Sequence, residues 1–211
     1  MKPLLFTLVL LLGACKASGG TEKAASTVDD LKSLRTQLAA GKDSIRTAVS
    51  RLNVLAEGKG DMAAEYKAFS KAVDGVASQR ERVRSVRESL AGRRQEFIAS
   101  WNEGMAKIQN ASMKDRSKER RDAVVAHFDD LRSAGDETRT EFDEWFSDLV
   151  DIRTYLEHDL NPTGITSLED DIESVTKRAG KIDEALDAFV SELDDLIQAI
   201  AAAKPPADSG S

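Results

Sequence analysis

The 211-residue chain is 41% apolar and 32% charged, with two tryptophans, four prolines and a formal net charge of −7. Dispersed Ala, Leu, Glu, Asp and Arg with few aromatics is the composition of long helices wetted on most faces, and it gives no sign of a compact α/β enzyme. The acidic balance argues against whole-molecule attraction to nucleic acid, and a single cysteine, Cys15, excludes a disulfide framework.

Residues 1–14 read as a processed leader. Lys2 supplies the positive start, and Leu4 to Leu12 form an apolar run far shorter than the roughly 20 residues needed to span a bilayer. Leu12, Gly13, Ala14 and Cys15 together resemble the lipobox of bacterial lipoproteins, which implies that the Cys15 sulfur carries a diacylglycerol and that two or three acyl chains anchor the protein stably. By the same resemblance, Lys16 after the cysteine implies the inner leaflet of the outer membrane, facing the periplasm. Residues 15–25, with Ser18, Gly19 and Gly20, read as a flexible lipid-anchored linker.

The helical domain is expected over 26–203. Its first helix is placed from Ser26, with Ser26 and Asp29 at capping-box spacing. Leu31, Leu34, Leu38, Ile45, Ala48, Leu52 and Leu55 then follow a three-four rhythm with Gly41 as its weak position. Gly58 and Gly60 end the helix, and Asp61 caps the next. Met62, Tyr66, Phe69, Val73, Val76, Val83, Leu90, Phe97, Trp101 and Ile108 form the second seam.

A polar break is placed near Met113 to Arg116. The third seam runs through Val124, Phe128, Leu131, Phe142, Trp145, Leu149, Ile152 and Leu156 to a stop at Asn161, Pro162 and Gly164. Thr166 and Glu169 have capping-box spacing for the last helix, whose stripe runs from Leu168 through Ile172, Val175, Ile182, Leu186, Phe189 and Leu193 to Ile200. Residues 204–211 read as a disordered tail.

Short connections predict an all-α, elongated, antiparallel up-down-up-down four-helix coiled-coil bundle. At 1.5 Å per residue the helices come to roughly 48, 78, 67 and 57 Å. The second and third are thus expected to form a central helical hairpin projecting at the anchored end.

Two charge patterns stand out. Residues 80–94 carry six arginines, including Arg80, Arg87 and Arg94 seven apart, against Glu81 and Glu88. The third helix, from Asp129 to Asp159, carries eleven carboxylates and three arginines. A turn near residue 114 sets Arg94 level with Gly135 and Arg87 with Phe142, making Asp136, Glu137 and Glu141 the expected partners. Such pairs fix register; the alternative is an internal anion or ligand site. Lys114, Arg116, Lys118, Arg120 and Arg121 cluster at the hairpin tip. They read either as a solvated turn or as a contact for anionic lipid or an acidic partner.

No metal or catalytic constellation emerges. His127 and His158 belong to no HxxxH or ExxH pair, and no Gly-rich phosphate loop or GxSxG elbow occurs. His158 reads as a residue favoured by a helix C-terminus. No cofactor and no metal are expected.

Phe97 with Trp101, Asn102 and Glu103, then Asn110 to Met113 with Ser117 and Arg120, and above all Tyr155 to Asn161 running into Ile165 to Leu168, resemble a family of bacterial lipoproteins known as a coiled-coil domain of unknown function. Glu157 and Asp159 depart from that family's Lys and Asn. The resemblance implies the fold and the address, and no catalytic residues. The reading is a non-enzymatic, lipid-anchored envelope protein acting as a spacer or protein-docking scaffold. Its alternatives are a periplasmic holdase-type chaperone and an anionic-lipid-binding surface protein.

Overall fold

A computed structural model describes residues 19–203. Expectations for the leader, Cys15 and the 204–211 tail lie outside the described residues. The described chain forms α1 (Gly19–Ala56), α2 (Met62–Ala106), α3 (Ala111–His158), the short α4 (Pro162–Ser167) and α5 (Glu169–Ala203), with no strand among the described residues. The fold is all-α.

The helices begin where side chains satisfy backbone N–H groups that have no partner in the first turn. Asp61 accepts from Ala63 and Ala64 at the head of α2, Asn110 from Met113 at the head of α3, and Asn161 from Gly164 at the head of α4. Between α1 and α2 the chain reverses at Gly58, whose φ of 62° is the left-handed conformation that glycine adopts without penalty.

α1, α2, α3 and α5 form a ring in which each neighbour runs antiparallel to the next. Lys23 meets Glu96 across α1 and α2, Arg94 meets Asp129 across α2 and α3, Arg178 meets Asp148 across α3 and α5, and Arg35 meets Asp194 across α1 and α5. The seam residues fill the centre: Leu31, Leu52, Phe69, Trp145, Leu149, Leu193 and Leu196 are all fully buried. Each such side chain contributes roughly 1.5–3 kcal/mol relative to exposure, which is what holds so polar a chain together.

Several expectations are corrected. α1 starts at Gly19, so residues 19–25 are helix rather than linker. Ala24 is buried, Thr27 is fully buried and Lys23 pairs with Glu96 at 3.0 Å, contacts that order this segment against the end of α2. Ser26 therefore sits inside the helix, donating to the Lys23 carbonyl, and caps nothing. Thr166 likewise donates within α4 to the Pro162 carbonyl.

The α2–α3 break falls at Lys107–Asn110, because Asn110 caps a helix that includes the stretch expected to be the turn. α3, with 48 residues, is consequently longer than α2, with 45. The hairpin projects little. Gly20 lies beside Ser100, and α2 continues only to Ala106, about 9 Å further. α2 and α3, expected as the organising hairpin, make the sparsest approach of the four neighbouring pairs, and α1 with α2 the closest.

Candidate functional site

The sparse α2–α3 approach has a cause in sequence. At one level of the bundle three helices put a small or polar residue where an apolar one would fill the centre: Gly41 in α1, Gln79 in α2 and Gly135 in α3. Gln79 is 4% exposed; it donates to the Gln37 backbone carbonyl at 2.8 Å and accepts from Arg82 at 3.1 Å. A hollow of about 420 Å³ results, reached between α2 and α3 and walled by Leu38, Val76, Val83, Phe142, Leu186 and Phe189 among others.

Over the hollow, α2 and α3 are bridged by a heptad ladder. Arg80 reaches Asp143 at 2.9 Å, Arg87 reaches Asp136 at 3.8 Å and Arg94 reaches Asp129 at 2.8 Å. Each seven-residue step up α2 matches a seven-residue step down α3, as an antiparallel heptad register requires. The expected partner Asp136 is thus found on Arg87, whereas Arg94 pairs with Asp129, and Glu137 and Glu141 form no ion pair with these arginines. The register expected with a turn near residue 114 is displaced by six positions on α3, because the turn lies before Asn110. Arg80 also lies 5.8 Å from the Phe146 ring centre and Arg94 5.6 Å from that of Phe128, within cation–π range.

Beside the hollow, Lys42 takes the α1 seam slot between Leu38 and Ile45 and is 9% exposed. Its ammonium pairs with Asp187 and lies 3.4 Å from Asp183, which Arg46 also reaches at 2.9 Å. Burial pushes the Asp183 carboxyl up, but the Arg46 hydrogen bond and the Lys42 and Arg46 charges outweigh it and hold the group below its ordinary value. The Lys42 cluster was missed in the sequence; its signal was the four-three spacing Leu38, Lys42, Ile45, in which a lysine stands for an apolar residue.

The second site is the end of the bundle where α1 starts, α2 turns into α3 and α5 stops. A hollow of about 720 Å³ there is lined by Phe97, Trp101, Met105, Ile108, Met113 and Ile200, with Lys107, Arg116 and Arg120. Trp101 packs edge-on against Phe97 at 5.5 Å and donates to Ser117 Oγ at 3.0 Å.

The five basic tip residues do not act as one patch. Lys118 and Arg121 both pair with Asp122, whose carboxyl their hydrogen bonds hold below its ordinary value. Arg121 also donates to Asn102, and Arg120 donates to the Ala202 carbonyl at the end of α5. Arg116 donates to Ser112 at 3.0 Å. Lys114 and Arg116 are exposed on either side of Asp115, next to Met113, which is 53% exposed.

Among the described residues no group of three or more His, Cys, Asp or Glu side chains could hold a metal ion, and no helix is long and apolar enough to cross a membrane. The fold and these two hollows define an antiparallel helical bundle with internal space. Residues 14–200 match the model of a family described as "Protein of unknown function (DUF2959)". The chain belongs to that family, which meets the expectation of a family of unknown function. Comparison with the curated proteins found no match. Comparison with the solved structures found none either.

Proposed function

We propose that the chain is a non-enzymatic rod of the bacterial cell envelope, anchored through lipidated Cys15 and serving as a spacer or protein-docking scaffold. The observation that carries this reading is the convergence of the α1 start, the α2–α3 turn and the α5 end, seen in the contacts of Gly20 with Ser100 and of Arg120 with Ala202. Cys15 precedes Gly19 by four residues, so an acyl anchor there reaches at most about 14 Å from the bundle. The opposite end, with Gly58, Lys59 and α4, then stands roughly 70 Å out along α3.

A scaffold also suits a bundle that satisfies its own apolar seams. The large apolar side chains exposed among the described residues are Val54, Met113 and Tyr155, and they form no continuous stripe for gripping unfolded clients. The test has two arms. Labelled palmitate should be incorporated by the wild type and not by Cys15→Ser. Photo-crosslinkers at Glu57 and Lys59 in intact cells should capture one defined envelope protein, whereas crosslinkers at the exposed mid-bundle Glu81 should not. No palmitate at Cys15 removes the anchor, and no far-end crosslink removes the scaffold.

Exposed Met113 beside Lys114 and Arg116 favours a second reading, in which the anchored end also touches anionic lipid. Flotation with phosphatidylglycerol vesicles should weaken in Met113→Ser with Lys114→Ser and Arg116→Ser. Unchanged flotation overturns it. Arg120 and Arg121 are unsuitable for this test, because each is engaged in a structural hydrogen bond.

A further inference from the structure

The three rungs between α2 and α3 differ in a way that points to an occupant for the hollow beneath them. The outer rungs are in close contact: Arg94 donates to Asp129 at 2.8 Å, and Arg80 forms an ion pair with Asp143 at 2.9 Å without hydrogen-bond alignment, each with its guanidinium close to a phenyl ring. The middle rung is open. Arg87 stands 3.8 Å from Asp136 Oδ1, beyond hydrogen-bonding distance, and Arg139 stands 3.6 Å from the same oxygen. Two guanidiniums thus share one carboxylate oxygen and neither is hydrogen-bonded to it. Arg87 and Arg139 both line the hollow, so two guanidiniums with unused donors sit at its mouth, while the neighbouring carboxylates are engaged elsewhere, Glu81 and Glu88 by Arg84 and Asp143 by Arg80.

Below that mouth the walls are mainly apolar and come from all four long helices: Leu38 from α1, Val76 and Val83 from α2, Phe142 from α3, Leu186 and Phe189 from α5, with Gln79 and Thr138 among them. A volume of about 420 Å³ falls within the range of roughly 300–1,000 Å³ usual for small-ligand sites. Close packing is the rule in bundle cores, and here three seams lapse together at Gly41, Gln79 and Gly135.

We propose that this crevice binds a single-chain amphiphile with an anionic head, a carboxylate or a phosphate. The head lies between Arg87 and Arg139, where planar guanidinium forks match either oxyanion. The chain enters among Val83, Phe142, Leu186 and Phe189. A long partner helix does not fit this entrance. The outer rungs at Arg80 and Arg94 stand about 21 Å apart and hold α2 and α3 together on both sides, so a helix laid lengthwise in the groove for more than about four turns would have to break one of them.

The test is a fluorescence titration of the purified full chain with dansyl-undecanoic acid, followed by displacement. Saturable binding of one probe per chain is expected, displaced by palmitate or lysophosphatidate and at least tenfold less well by methyl palmitate. Whichever of the two anions displaces better identifies the head group. Gly41→Leu places a side chain into the hollow, and a β-carbon at Gly41 meets nothing nearer than Gln79 Cγ at 3.9 Å, so the helix accommodates it. That variant should lose at least tenfold in probe affinity. Arg87→Gln with Arg139→Gln, both on the exposed side of their helices, should weaken palmitate at least tenfold and leave methyl palmitate unchanged. Absence of saturable binding overturns the proposal, as does equal affinity for palmitate and its ester, or probe binding that both variants leave intact. If Gly41→Leu loses its helical circular dichroism, the arginine pair decides alone.

Discussion

Phe189 lies with Cε2 3.0 Å and Cζ 3.3 Å from where a β-carbon on Gly135 would sit. The ring occupies the space that a larger α3 residue would take, and the hollow begins beside it. Alanine in place of a helix-interior glycine gains about 0.5–1 kcal/mol in backbone propensity. Gly180, with nothing within 4 Å of its β-carbon position, should show that gain in full as Gly180→Ala. Gly135→Ala must displace the ring edge into the hollow, which offsets the gain. The urea midpoint should therefore rise for Gly180→Ala and stay level or fall for Gly135→Ala. An equal rise in both would mean that the ring does not pack where the distances put it.

Trp145 ties α3 to α5. Its indole is fully buried and Nε1 donates to the Val175 carbonyl at 3.0 Å, using the second lone pair of an oxygen in the interior of α5. Trp145→Phe removes the donor and part of the ring while keeping an aromatic, and should cost about 1–2 kcal/mol. Trp145→Ala leaves a cavity and should cost about 3–5 kcal/mol. Chemical denaturation followed by circular dichroism separates the two, and a cost for Trp145→Phe equal to that for Trp145→Ala would assign the whole effect to the hydrogen bond.

Trp145, Phe69, Leu52 and Leu196 could be read from spacing alone, since an amphipathic helix must bury whatever recurs at three and four residues. Spacing identifies a face and says nothing of which residue stands opposite. Opposition is set by the centre of the turn, and that depended on recognising Asn110 as the cap of α3. Taking the stretch from Met113 to Arg116 for the turn displaced Arg94 from Asp129. Lys42 and Gln79 were overlooked because a polar residue on a seam reads as an interruption, whereas both are satisfied by partners on neighbouring helices, Lys42 by α5 and Gln79 by α1. The hollow follows from a coincidence of levels among three helices, which only the register reveals. Residues 19–25, small and polar, carry no pattern that announces a helix; their order comes from packing against α2.

The Lys42 cluster should give the fold a dependence on acid. Asp183 is held below its ordinary value in the folded state, so its contribution is complete above the unfolded value near 3.8 and is lost as pH falls through the lower folded value. Asp183→Asn leaves Lys42 with Asp187 alone and removes the charge that Arg46 meets at 2.9 Å. Near pH 7 the variant should be less stable by about 1.5–3 kcal/mol, as for a hydrogen bond to a charged group. The difference should shrink as pH falls below about 3.8 and the wild-type carboxyl protonates. Urea midpoints of both proteins across that interval test it, and a difference that stays constant on acidification would place the effect elsewhere.

At the far end, Gly164 is required by distance rather than by torsion. Its φ is not positive, yet a β-carbon there would lie 2.2 Å from the Asp159 carbonyl oxygen and 3.1 Å from the Asp159 carboxylate. The first contact is with backbone, so no rotamer change relieves it. Gly164 also donates its N–H to Asn161 Oδ1 at 2.9 Å, and the Ile165 side chain next to it is buried. Opening the α3–α4 junction to admit a methyl group would disturb the cap and that anchor together. Gly164→Ala should therefore cost about 2–3 kcal/mol, at the upper end for overpacking. Asn161→Ala, which removes only the cap, should cost about 1 kcal/mol. If the glycine variant proves the milder of the two in thermal unfolding, α4 yields to the methyl group and is not the fixed corner that the Asp159–Gly164 approach implies.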